Sequence, residues 1–64
     1  MLKVIEVLAQ SEKSWEEAAQ SAVEEAAHSV RNIRSIYIKE MEAQVRDNRI
    51  VEYRINANIS FELD

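Results

Sequence analysis

Sixty-four residues with twelve acidic and eight basic side chains, a net charge of −4, and no cysteine, glycine or proline exclude several function classes at once. Without glycine there is no phosphate-cradling loop, so P-loop and dinucleotide fingerprints are absent; without cysteine there is neither a disulfide framework nor a thiolate metal site, and a single histidine builds no zinc site alone. The acidic balance lacks the basic footprint of a nucleic-acid binder, and no stretch reaches the length of a membrane span.

Leu2 to Ala9 reads as a first strand. Lys3, Ile5, Val7 and Ala9 share one face; Leu2, Val4 and Leu8 share the other, interrupted by Glu6. Apolar residues on both faces imply that both are covered. The polar connection Gln10-Ser11-Glu12-Lys13 follows.

Ser14-Trp15-Glu16-Glu17 has the form of a capping box, in which the Ser14 hydroxyl accepts from the amide of Glu17. The spacing predicts a helix from Trp15 to about Ser29, with an apolar stripe at Trp15, Ala18, Ala19, Ala22, Val23, Ala26 and Val30. That stripe is mostly alanine, so the helix sits close to whatever it covers. Glu16, Gln20, Glu24 and Ala27 form its wet side.

Ile33 to Val45 reads as a second strand, with Ser35, Tyr37, Lys39, Met41, Ala43 and Val45 on one face and Ile36, Ile38, Glu40, Glu42 and Gln44 on the other. Asp47-Asn48 is a hairpin turn written without glycine, since Asp and Asn tolerate left-handed backbone best among the remaining residues. From Ile50 to Leu63 the chain alternates strictly. Val51, Tyr53, Ile55, Ala57, Ile59, Phe61 and Leu63 fall on an apolar face, and Glu52, Arg54, Asn56, Asn58, Ser60 and Glu62 on a polar one. Such a strand runs roughly 45 Å. A 15-residue helix spans only about 22 Å and covers half of it.

The order β-α-β-β fills one domain, residues 1–64. A chain of this size buries only about 60% of its unfolded surface and is marginal alone. With disulfides and a thiolate metal site excluded, partner subunits are the remaining remedy. A long hairpin with open edges is also an aggregation hazard unless an assembly closes it. No apolar segment followed by a small-residue cleavage site opens the chain, so a cytoplasmic location is expected.

Four landmarks then stand in order: Lys3-Val4-Ile5; Ser14-Trp15-Glu16-Glu17-Ala18-Ala19; Ser29-Val30-Arg31-Asn32-Ile33-Arg34; and Tyr53-Arg54 with Ile59-Ser60-Phe61-Glu62-Leu63. Their order and spacing, over nearly the whole chain, resemble the dodecins. The resemblance implies an α+β fold in which a three-stranded antiparallel sheet partly wraps one helix. It also implies a non-enzymatic protein that assembles as a hollow homododecamer of 23 symmetry and binds or stores small molecules or ions.

In flavin-binding dodecins a tryptophan early in the second strand stacks on the isoalloxazine ring, and a glutamine after the landmark tyrosine hydrogen-bonds it. Those positions here are Ser35 and Arg54. Serine has no π-face to stack. Arginine replaces an amide that both donates and accepts with a donor-only group. The resemblance therefore runs towards the members that lack this tryptophan and are linked to calcium.

Trp15 is read as a packing residue at the start of the helix. Tyr37, two residues beyond Ser35, is a packing residue or, in the alternative, presents a ring to the flavin slot formed with Ser35 and Arg54. His28, near the helix end, has a surface role, with no nucleophile or acid placed beside it by sequence. Glu40, Glu42, Glu52 and Glu62 make a solvated face or pair with Arg34, Arg46, Arg49 and Arg54. The functional alternative is a cation site where copies meet on a symmetry axis, with Glu40, Glu42 and Glu52 as ligands; oxygen-only donors select calcium or magnesium. Two readings follow: a dodecamer that binds ions, and a shell that stores FMN or riboflavin with Tyr37 or another residue in the tryptophan's place. Serine at position 35 favours the first.

Overall fold

The computed structural model describes residues 1–63. Four elements follow one another: β1 (Leu2–Ser11), α1 (Trp15–Ala26), β2 (Ile33–Arg46) and β3 (Arg49–Glu62). The strands form one sheet in the order β1-β3-β2. Both neighbours run antiparallel to β3. Of the two 14-residue strands, the one with the clean alternation is thus the central one, and α1 lies across one face of the sheet.

The alternation of β3 sorts its side chains as expected. Ile55, Ala57, Ile59 and Phe61 are buried on the helix side. Ile55, Ala57 and Ile59 meet Ala18, Ala22 and Ala26 of α1, all buried; Ala18 and Ala22 are fully enclosed, which brings the helix backbone down onto the sheet. Ile5, Val7, Ala9, Trp15, Val23, Val30, Ile36 and Ile38 pack around that cluster. Leu63 departs from the pattern: it lies beyond β3 and is exposed.

The cap forms as the sequence predicts. Ser14 is extended and its hydroxyl accepts from the Glu17 amide at 3.0 Å. The helix is shorter than expected, ending at Ala26 rather than Ser29. Beyond it the bonding tightens to i→i−3, His28 N to Glu25 O at 3.2 Å and Ser29 N to Ala26 O at 2.9 Å. Glu24 and Glu25 face the negative end of the helix dipole and no basic residue stands in the last turn to offset them. Asn32, at φ 59°, then reverses the chain into β2. His28 is exposed in this turn.

Asp47 and Asn48 have φ 54° and 65°, and Arg46 pairs with Arg49, the two-residue hairpin read from the sequence. The faces of β2 need correction. The register steps between Ile38 and Glu40, leaving Lys39 without a partner on β3. A bulge of this kind inserts one residue and reverses the alternation beyond it. Ser35, Tyr37, Glu40, Glu42 and Gln44 therefore face away from the helix, whereas Met41 and Ala43 pair with Ile55 and Tyr53 on the helix side.

The subunit measures 49 × 18 × 13 Å with a radius of gyration of 13.0 Å. A compact chain of this length has about 10.7 Å. Its surface of 4962 Å² exceeds the about 4,200 Å² of a compact monomer of the same mass. Exposed apolar side chains lie on the helix-free face at Leu2, Val4, Leu8 and Tyr37, towards the hairpin at Val45 and Ile50, and on the helix side at Met41.

Candidate functional site

Three strands in register build the helix-free face as a series of cross-strand rows. Val4, Ser60 and Ser35 form one; Glu6, Asn58 and Tyr37 the next; then Leu8, Asn56 and Glu40; then Gln10, Arg54 and Glu42. The last two rows line a groove of about 660 Å³, within the range of small-ligand sites.

The polar groups of the groove are unevenly engaged. Asn56 Nδ2 donates to Glu40 Oε1 at 3.2 Å. Asn56 Oδ1 is buried and has no hydrogen-bond partner among the described residues. Arg54 stands in the same row as Glu42, yet its guanidinium donates to Glu52 Oε1, at 3.1 Å from both Nε and Nη2. Glu42 has neither a hydrogen bond nor an ion pair among the described residues. The groove thus presents the Glu42 carboxylate unengaged and Glu40 engaged only by an amide, with Leu8 as an exposed apolar wall.

Lys39 Nζ meets Glu6 Oε2 at 3.3 Å. Glu6 is on β1 and Lys39 on β2, so the pair spans the width of β3 near Asn58. It marks the boundary between the groove and the rows that carry Tyr37 and Ser35.

The residues singled out from the sequence are only partly gathered. Ser35 and Arg54 share this face but not a row. Ser35 stands against Ser60, with the two hydroxyls hydrogen-bonded, while Arg54 stands six residues away along β3. Six residues of strand are about 20 Å. Tyr37 lies between them in sequence order of the rows and is 67% exposed. Of the three carboxylates read as metal ligands, Glu40 and Glu42 line the groove, while Glu52 lies beyond its edge and holds Arg54. Among the described residues no three His, Cys, Asp or Glu side chains converge as a metal cluster within one subunit. Glu62 is engaged elsewhere, with the amino group of Met1 at 3.1 Å.

Trp15 lies on the other face, edge-on to Tyr53 with ring centroids 4.8 Å apart and planes at 73°, the packing role read for it. Sequence reasoning missed Gln10, Asn56, Lys39 and Glu6. Asn56 was legible as a polar position on β3 beside Arg54. The pairing of Lys39 with Glu6 was not, because it depends on the bulge. Among the described residues no helix is long and apolar enough to cross a membrane.

The family model described as Dodecin matches residues 1–64. The calcium dodecin of Mycobacterium tuberculosis is 38% identical over 61 residues, 95% of this chain and 86% of that protein. A crystal structure of that organism's calcium dodecin, described as a calcium chelating antigen with a novel calcium-binding site, shares 36% identity and a TM-score of 0.82, covering 100% of this chain and 91% of its own. A dodecin of Thermus thermophilus gives a TM-score of 0.92 at 25% identity, covering 100% and 96% of the two chains.

Proposed function

The chain belongs to the dodecin family, and we propose that it is a non-enzymatic dodecin whose helix-free sheet face holds a calcium-type ion in place of a flavin. The observation that carries this reading is the groove: Glu40 and Glu42 supply carboxylate oxygens, while the one basic side chain in the groove is bound to Glu52. Oxygen-only donors suit hard cations, and calcium tolerates irregular geometry better than magnesium. At the position of the stacking tryptophan stands a serine that is already hydrogen-bonded to Ser60. A relative covering most of the chain is a calcium dodecin, which supports the same ion here.

Calcium takes six to eight oxygens. One subunit offers fewer, so the site is completed by a second copy. Self-association is supported by the 49 Å length, the excess surface and the exposed apolar residues of this face. The assembly is a cytoplasmic homododecamer of 23 symmetry, the closed form that the family resemblance implies. Glu52 enters the ion's shell where copies meet through Oε2, the oxygen that does not hold Arg54. The second reading, FMN or riboflavin storage, rests on Tyr37, whose ring is exposed one row from Ser35.

Calorimetric titration of the assembled protein with calcium chloride tests the first reading. A saturable heat is expected for the natural chain, and its loss in the Glu40→Gln/Glu42→Gln variant. Absence of heat in the natural chain would contradict it.

A further inference from the structure

We propose that Glu6 is a positioning residue for the groove: it holds the Lys39 ammonium away from Glu40 and so keeps the groove carboxylates open to a cation. The inference rests on the calcium reading above and names a group that controls it.

The bulge makes Lys39 and Glu40 neighbours on the same face. A residue pair on consecutive positions of a regular strand points to opposite faces. Here the extra residue leaves both side chains on the helix-free side, Glu40 against Asn56 and Lys39 reaching Glu6. An ammonium beside a carboxylate would ordinarily pair with it, and Glu40 is engaged only by the Asn56 amide at Oε1. Instead Lys39 extends across β3, over two strand spacings or about 9.6 Å, to an acid on the opposite edge strand. Arg54 behaves alike, passing over Glu42 in its own row for Glu52. Each basic group bordering the groove is thus held by an acid outside it. Remove Glu6, and the shortest path for Lys39 leads back to Glu40, where it competes with a bound cation.

A double-mutant cycle separates this from the simple loss of one negative charge. Calcium binding is measured by calorimetry for the natural chain, Glu6→Gln, Lys39→Gln and the double variant. Glu6→Gln is expected to weaken binding about three- to five-fold, the size of one exposed charge interaction. In the Lys39→Gln background the same change is expected to alter affinity less than about two-fold, because no ammonium remains to be released. Glu6→Asp, which keeps the carboxylate, is expected to restore part of the affinity. Equal effects of Glu6→Gln in both backgrounds would overturn the inference while leaving the calcium reading in place. Should the natural chain bind no calcium, the calcium reading fails, and a crystal structure of Glu6→Gln still decides the positioning role. Lys39 Nζ on Glu40 supports it; Lys39 Nζ turned away from both groove carboxylates overturns it.

Discussion

Ser35 and Arg54 share the helix-free face of the sheet but stand at opposite ends of it, Ser35 beside Ser60 and Arg54 beside Glu42. Any slot that needs both therefore draws them from two copies. Ser35→Trp combined with Arg54→Gln is predicted to raise flavin affinity by about tenfold or more, since each ring stacked adds about 0.5–1.5 kcal/mol beyond area burial. Quenching of FMN fluorescence reads the gain. An unchanged affinity in a variant that still assembles would show that these positions do not form a slot across copies.

Phe61 is buried on the helix side of β3, at the end where that strand meets both Lys3 and Ile33. Phe61→Ala is predicted to cost about 3–5 kcal/mol. Because subunit stability is linked to assembly, the loss is read as a lower melting temperature with dissociation at micromolar concentration. A variant with unchanged melting and mass would contradict the assignment of this face as the core.

Much of this was legible in the residues. The period-two pattern of β3 has no interruption between Glu52 and Glu62, so the core positions Ile55, Ala57, Ile59 and Phe61 follow from it directly. The capping box and the Asp47-Asn48 turn rest on local chemistry that needs no tertiary context. β2 was not legible beyond Ile38. A bulge leaves no mark in composition, and one inserted residue at Lys39 moves Met41 and Ala43 to the helix side and Glu40 and Glu42 to the groove. The helix end was misplaced because Val30 continues the apolar spacing, although the backbone has already left α1 after Ala26. The groove's ion pairs were hidden for the same reason as the bulge: Lys39 with Glu6 spans 33 residues of sequence.

Ser14→Ala is predicted to destabilise the subunit by about 1 kcal/mol, the usual loss for an N-cap side chain, because Glu17 N loses its acceptor. Urea or thermal unfolding checks it, with Ser14→Asp as the variant expected to retain the natural stability. Equal destabilisation by Ala and Asp would place the effect elsewhere.

Assembly is predicted to give a particle of about 89 kDa, twelve chains of 7.4 kDa, the number that the proposed 23 symmetry closes with. Light scattering at micromolar concentration measures it. A monomer or dimer would leave the exposed apolar face without its partner and contradict the assembly proposed here.

Titration of FMN or riboflavin with the unmodified protein, followed by quenching of flavin fluorescence, tests most directly the claim that an ion has replaced the flavin on this face. With Ser35 bound to Ser60 and Arg54 bound to Glu52, the prediction is no quenching until the high micromolar range, about 5.5 kcal/mol of binding free energy or less. Sub-micromolar quenching would contradict it, and would assign the stacking role to Tyr37 or another residue in an intact flavin site.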